Sequence, residues 1–278
     1  MRYVDLIHDL KFFKRVFIKR GLPIQLIYFV TTDCNSRCAH CFLKDRTNKE
    51  GGRLDLDEVE KVSLSIPLLA SISLTGGEPF LRPDLPSIAE MFYKNSRAKS
   101  IVITTNGYLT DNIMAAVDEI CKKCRNSTVF LGVSLDGIGE SHDILRGLKG
   151  SFKNAVNTFN ALTAIKKYHK NLNVGVNITF SRYNQDRIKQ LYEYVRDEMQ
   201  PDNVGINFMR GKSWEDIDDV RMDVDKYRSL TDTKSNDYMH GRMGYSNAGF
   251  IGKLASIKEL LQYGMIANIY RSKKYISK

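Results

Sequence analysis

Six short runs rich in Val, Ile, Leu and Phe recur along this chain, and each gives way to a segment with helical spacing. They cover residues 25–32, 71–75, 100–105, 128–135, 173–180 and 203–209. Most are continuous apolar stretches, as expected of strands buried on both faces of a parallel sheet. Asp55-Leu56-Asp57-Glu58 puts acidic residues in the first turn of one helix, and Arg82-Pro83-Asp84 opens the next. Thr110 or Asp111 is the expected cap of a third, ahead of Ile113, Met114 and Val117. Residues 152–168 and 185–199 show the i, i+3, i+4 apolar spacing of amphipathic helices. Strand then helix, six times over, predicts a parallel α/β fold, and right-handed crossovers curl six such units into an open, partial (β/α)6 barrel. A closed eight-unit barrel is disfavoured because the pattern stops after the sixth strand.

The chain has 278 residues, 42% of them hydrophobic, which supplies one sizeable core and not two full enzyme domains. It has no run of roughly 18 apolar residues and no secretory signal at its start, so a cytoplasmic protein is the expectation. Five cysteines, an odd number with three inside eight residues, fit a reducing compartment and point to metal. The net charge of +10 sits at the ends. Residues 1–20 carry six Lys/Arg against Asp5 and Asp9, and residues 253–278 carry six against Glu259. The body between is close to neutral. Basic ends suit either solvated helix faces or contact with nucleic acid, anionic lipid or an acidic partner. The layout is a basic amphipathic helix over 1–20, with Leu6, Ile7, Leu10, Phe13 and Phe17 along one stripe, and a barrel over 21–211. A loop-rich and helical extension follows over 212–278, helix-like from 251 to 269. The N-terminal stripe either caps the barrel or contacts a membrane surface weakly.

Directly after the first run comes Cys34-Asn35-Ser36-Arg37-Cys38-Ala39-His40-Cys41. Three thiols at this spacing suit a loop that wraps one corner of an iron–sulfur cube. Structural zinc sites and electron-carrier clusters take four protein ligands, so three leave an open position where chemistry happens. A zinc reading would recruit His40 as the fourth ligand, although adjacent residues rarely close on one tetrahedral ion. Thr75-Gly76-Gly77-Glu78-Pro79 ends the second run. Its glycines let backbone approach a ligand closely, or make only a tight strand-to-helix turn. C-terminal strand ends gather on one face of a parallel barrel, which puts both motifs on one rim. Asn106-Gly107 is a turn signal on the same rim, and Asn106 is a candidate cofactor or substrate contact. Asn177, polar within an apolar run, either faces the lumen and binds ligand or satisfies a structural hydrogen bond.

Together these motifs resemble the radical SAM superfamily, whose hallmark is a CxxxCxxC loop after the first strand. Gly-Gly-Glu-Pro is similar to that family's second motif, and the likeness covers about residues 22–210. The resemblance implies a partial (β/α)6 barrel with a [4Fe–4S] cluster on Cys34, Cys38 and Cys41. It implies S-adenosylmethionine chelated to the open iron through its amino and carboxylate groups. On reduction, cleavage would yield a 5′-deoxyadenosyl radical that abstracts hydrogen from a substrate. By the same resemblance His40 packs near adenine, Gly76 and Gly77 meet the methionine ammonium, and Met209 gives an apolar adenine contact or is core. Ser134, in Val133-Ser134-Leu135-Asp136-Gly137, is similar to a ribose or carboxylate contact. Glu78, Asp136, Asn106 and Asn177 complete the cofactor-binding set. His142-Asp143-Ile144-Leu145-Arg146-Gly147 is similar to a stretch in peptide-modifying members. There Arg146 would pair with the cofactor carboxylate; otherwise it is a surface helix charge bridging back to Asp143.

Relatives with these stretches often continue into a SPASM-type extension with further cysteines, whereas the last cysteine here is Cys124. Cys121-Lys122-Lys123-Cys124 is similar to a redox or zinc half-site but falls near the end of the third helix, where structural cysteines are expected. Small-molecule, lipid, nucleotide and peptide substrates all stay open. A reductant such as flavodoxin or ferredoxin is implied. The competing function class is a non-catalytic iron–sulfur or zinc binding module whose basic ends contact nucleic acid or an acidic partner. The near-neutral body predicts no specific nucleic acid.

Overall fold

Every expected run forms a strand in the computed structural model, which describes residues 23–43, 46–49, 51, 53–209, 222–242 and 249–272. The strands are β1 (Gln25–Thr31), β2 (Ser71–Gly76), β3 (Ser100–Thr105), β4 (Thr128–Ser134), β5 (Leu172–Phe180) and β6 (Val204–Phe208). They pair in parallel and in sequence order into one six-stranded sheet. The sheet is not closed, since among the described residues β6 pairs with β5 alone. The expected 1–20 helix lies outside the described residues.

Helices fill the crossovers: α1 (Leu56–Ser65), α2 (Leu85–Lys94), α3 (Thr110–Lys123), α4 (Glu140–Arg146), α5 (Ser151–Ile165) and α6 (Ile188–Tyr194), the last continuing as a π turn. The acidic opening of α1 is a capping box. Asp55 accepts from the Glu58 amide at 2.8 Å, and the Glu58 carboxylate accepts from the Asp55 amide at 3.0 Å. Neither Thr110 nor Asp111 caps α3. Its N-cap is Leu109, because the Thr110 hydroxyl is bonded to Thr158 of α5 at 2.7 Å. Asp84 stands at the N-cap of α2 without a side-chain cap bond, because its carboxylate holds Arg82 through two contacts. Arg82 in turn donates to Val30 O, which braces the end of β1.

The continuous apolar runs suggested strands buried on both faces, and the structure corrects this. One face carries fully buried Ile72, Leu74, Ile101, Ile103, Val129 and Leu131, which join Leu85, Ile88, Val117 and Phe159 in one core under the helices. The alternate positions are mixed and mostly less enclosed, with Ser71, Ser73, Thr75, Thr104, Asn173 and Thr179 beside apolar Ile27, Phe29, Val102 and Phe130. Serine, threonine and glycine between Ile and Val do not interrupt an apolar run by eye, which hid the alternation. No strand residue is charged.

The region after the sixth strand is less loop-rich than expected. Residues Val224–Met239 form α7, and Gly249–Ser272 form α8. The buried face of α7 includes Thr231, Lys234 and Asp237 beside Tyr227 and Leu230, so its apolar period was masked by polar side chains. Lys234 donates to Tyr263 of α8 at 2.9 Å. Tyr227 meets Phe180 and Phe208 edge-on at centroid distances of 5.3 and 4.9 Å. Cys121 and Cys124 are buried in the core, with thiols pushed up to about 12 by burial. Their carbonyls accept from Asn171, just before β5, at the end of the barrel opposite the rim. Among the described residues no helix is long and apolar enough to cross a membrane.

Asn177 is wedged on the inner face. A β-carbon at Gly132 of β4 would stand 2.2 Å from its Nδ2, and one at Gly205 of β6 would stand 2.5 Å from its Oδ1. The carboxamide cannot retreat from one neighbour without meeting the other. Gly132→Ala is therefore expected to cost about 1–2 kcal/mol, and most of that cost should vanish on an Asn177→Ala background. Urea denaturation of the four proteins in this cycle measures the coupling, and additive costs would refute the wedge.

Candidate active site at the strand ends

The cysteine loop leaves β1 and is tied down from three directions. The Gly77 amide donates to Thr31 O at 2.8 Å and the Glu78 amide to Asp33 O at 2.7 Å, stitching the end of β2 to the start of the loop. This contact explains the two glycines. Gly76 has φ +143°, and β-carbons at Gly76 and Gly77 would fall 2.2 and 2.0 Å from the carbonyl oxygens of Thr31 and Asp33. From β3, Asn106 donates through Nδ2 to Asn35 Oδ1 at 2.6 Å and Ser36 Oγ at 3.1 Å. From the third side, the loop's own Arg37 and Ala39 amides donate to Arg146 O and Leu145 O of α4, each at 2.9 Å.

Glu78 is fully enclosed. It accepts from the Thr105 hydroxyl and the Asn106 amide, both at 2.8 Å, and from the Phe80 amide at 3.3 Å. Burial outweighs these donors and pushes its carboxyl up to about 7. Both its oxygens and all the polar groups of the Asn106 side chain are thus engaged within the protein.

Asp136 follows β4 and is also fully buried. Its Oδ1 accepts from the Thr179 amide at 2.6 Å, and its Oδ2 stands 2.5 Å from Arg146 Nη2 and 3.5 Å from His40 Nε2. Burial opposes its charge, but Arg146 and then His40 hold its carboxyl below the ordinary range. Arg146 is 8% exposed, and its Nη1 donates to Cys38 Sγ at 3.7 Å. It is therefore neither a surface charge nor paired with Asp143: its terminal nitrogens meet Asp136 and Cys38. Asp143 instead accepts from the Gly150 and Phe152 amides and so starts α5. His142, lowered to about 4 chiefly by burial, accepts the Asp136 amide on Nδ1 at 3.1 Å. Gly147 has φ +59°, and a β-carbon there would lie 2.8 Å from Arg37 O. Leu145, Arg146 and Gly147 of this motif thus touch the cysteine loop, while Asp143 serves the next helix.

Cys34, Cys38 and Cys41 are free and partly exposed. Burial pushes the Cys34 thiol up to about 11 and raises that of Cys38. Iron binding at the loop must therefore displace protons. Among the described residues no three His, Cys, Asp or Glu side chains converge on a single ion. His40 Nε2 faces Asp136 Oδ2 at 3.5 Å. Three soft sulfur donors without a disulfide fit an iron–sulfur cluster, whose ligands each reach a different iron. Buried Asn35 Nδ2, His40 Nδ1 and Arg146 Nε have no partner among the described residues and border the same loop. Ser134 pairs in register with Asn177 across β4 and β5, and Met209, 9% exposed, follows β6 and donates its amide to Phe180 O at 2.8 Å. The strands bring all these positions to one rim; Cys121 and Cys124 lie elsewhere. The contacts of Asn35 and Ser36 carried no signal in the sequence, and the stretch containing His142 and Asp143 did not disclose their partners.

The sequence matches the family model of the Radical SAM superfamily over residues 28–224. It is 30% identical over 188 residues to the Fe-coproporphyrin III synthase of Methanosarcina barkeri, covering 66% of this chain and 44% of that one. It is 39% identical over 84 residues to a probable GTP 3',8-cyclase of Methanococcus vannielii, covering 30% and 28%. The chain thus spans less than half the length of these curated relatives. Streptococcus suis SuiB bound to precursor peptide SuiA shares the fold, with a TM-score of 0.58 at 17% identity over 85% of this chain and 50% of that one.

Glu78 gives the rim a pH signature. Its carboxyl is pushed up to about 7 in the folded chain against an ordinary 4.5. The folded state holds the extra proton between these values, so this stabilisation is full below the lower value and lost as pH rises through the upper one. Relative to Glu78→Gln, the wild type is expected to lose about 3 kcal/mol of unfolding free energy across that window. Urea denaturation of both proteins at about pH 5 and about pH 8 checks it, and a pH-independent difference would show Glu78 to be an ordinary carboxyl.

Proposed function

The chain belongs to the radical SAM superfamily, and we propose on that premise that its strand-end rim is the catalytic centre of a radical S-adenosylmethionine enzyme. The observation that carries this reading is the cysteine loop, three free thiols locked by backbone hydrogen bonds onto the ends of β2 and α4. Cys34, Cys38 and Cys41 would hold a [4Fe–4S] cluster. With S-adenosylmethionine bound beside it, that cluster would supply one-electron reductive cleavage of the cofactor and hence hydrogen-abstraction chemistry. Gly76 and Gly77 would receive the methionine ammonium through carbonyl groups, and His40, Ser134, Asn177 and Met209 would line the cofactor. Glu78, Asn106, Asp136 and Arg146 serve the cofactor indirectly, by fixing the loop that carries the thiols. A low-potential donor such as flavodoxin or ferredoxin would supply the electron. The alternative of a closed, non-catalytic metal module is not favoured, because the chain matches the Radical SAM family model over residues 28–224.

The substrate is read from the inner face of the sheet. The strand positions there offer hydroxyls and carboxamides, such as Ser73, Thr104, Asn173 and Asn207, beside apolar Ile27, Phe29, Val102 and Phe130, and no charge. A charged group desolvated against this face would lack a counter-ion. The part of the substrate inside the barrel is therefore neutral, with both apolar and hydrogen-bonding surface. GTP and coproporphyrin III, whose phosphates or carboxylates would need cationic partners, are not expected to stimulate 5′-deoxyadenosine formation by reconstituted protein. Stimulation by either would overturn the neutral-substrate reading.

The cysteine comparison tests the function itself. Anaerobic reconstitution followed by iron and sulfide analysis should show a cluster in the wild type and in the Cys121→Ala/Cys124→Ala double variant. Cys34→Ala, Cys38→Ala and Cys41→Ala should each abolish the intact cluster and, under strong reductant, the release of 5′-deoxyadenosine and methionine. A cluster that survives loss of a loop cysteine but not the double change would place the metal site elsewhere.

A further inference from the structure

We propose that Arg146 is a positioning residue that sets the reduction potential of the cluster on the cysteine loop, and that Asp136 limits its effect. The proposal rests on the radical SAM reading of the loop but concerns a property that reading does not specify. Arg146 brings a permanent positive charge to within 3.7 Å of Cys38 Sγ as an N–H donor. Its distance from the loop is fixed, because the carbonyls of Arg146 and Leu145 accept from the Arg37 and Ala39 amides on either side of Cys38. The guanidinium is enclosed, so water screens it little.

Reduction adds one electron from an external low-potential donor to the cluster and its thiolates, with no bond made or broken in the protein. Hydrogen bonds to cluster sulfurs, net charge and exposure set such potentials. A cation donating to a ligating sulfur favours the more negative, reduced state and raises the potential. Asp136 works the other way. Its Oδ2 stands 2.5 Å from Arg146 Nη2 and takes up part of that charge. The two residues should therefore act on the cluster with opposite signs, which a merely structural ion pair would not do.

Redox titration of the reconstituted protein, followed by the electron paramagnetic resonance signal of the reduced cluster, tests this. Arg146→Gln should make reduction about tenfold harder, which is about 59 mV more negative for a one-electron couple. Asp136→Asn keeps the acceptor for the Thr179 amide and should shift the potential upward. Arg146→Lys retains the charge without the planar fork and should fall between Arg146→Gln and wild type. Shifts of one sign in Arg146→Gln and Asp136→Asn, or no shift in either, would overturn the proposal. So would folded variants, by circular dichroism, that all fail to hold a cluster, since the pair would then serve assembly alone. A wild type that forms no [4Fe–4S] signal would instead defeat the cluster reading of the cysteine loop, and the present proposal with it.

Discussion

A guanidinium shut away from water must find negative charge and acceptors nearby, and Arg146 meets that demand with Asp136 and a cysteine sulfur. Much of the rim follows from this arrangement. Asp136 is held where it is by the Thr179 amide on one oxygen, while its own amide is received by His142. The carbonyl of the same residue accepts from Asn184, which also bonds Thr179 O, so the ends of β4 and β5 are joined around one carboxylate. The arginine's backbone then carries the cysteine loop. Breaking a buried pair of this kind by removing one partner leaves an uncompensated charge, typically at a cost of about 3–5 kcal/mol. The pair is thus a constraint on the loop's geometry as well as on its electrostatics.

The other half of the rim is built without an ion pair. Glu78 is held by an amide, a hydroxyl and a neighbouring cap, and burial dominates its proton equilibrium. One side of the cysteine loop therefore rests on a carboxyl group inclined to stay protonated, and the other on a carboxylate kept charged by arginine. The two carboxyls differ through their surroundings, not their chemistry. Asn106 links the two regions by donating to Asn35 and Ser36 between the first and second cysteines.

The fold was legible in the sequence because its strands are short apolar runs whose order alone dictates a parallel sheet. The thiols were legible because their spacing is local. What could not be read were contacts between residues far apart in sequence. Asn106 lies 71 residues from Asn35, and Arg146 lies 108 residues from Cys38. Pattern within a window cannot tell that a glutamate in a glycine turn caps its neighbour strand, or that an arginine on a short helix turns inward. Helix α7 escaped notice for a related reason. Its buried stripe contains Lys234 and Asp237, which acquire partners only when Tyr263, Tyr192 and Arg196 are folded against them.

The same alternation that obscured the inner face accounts for how the barrel can hold a site at all. Ile72, Leu74, Ile101, Ile103, Val129 and Leu131 supply burial on the helix-covered side, so folding makes little demand on the residues opposite. Those inner positions are left for groups such as Ser134, Asn177 and Thr179, whose hydroxyls and amides cost little when solvated and recognise neutral groups when covered. Glycine on both strands beside Asn177 shows that even this face is shaped for one side chain. Outer-face packing therefore sets stability, strand ends set the position of the thiols, and the inner face remains free to set what the radical would meet.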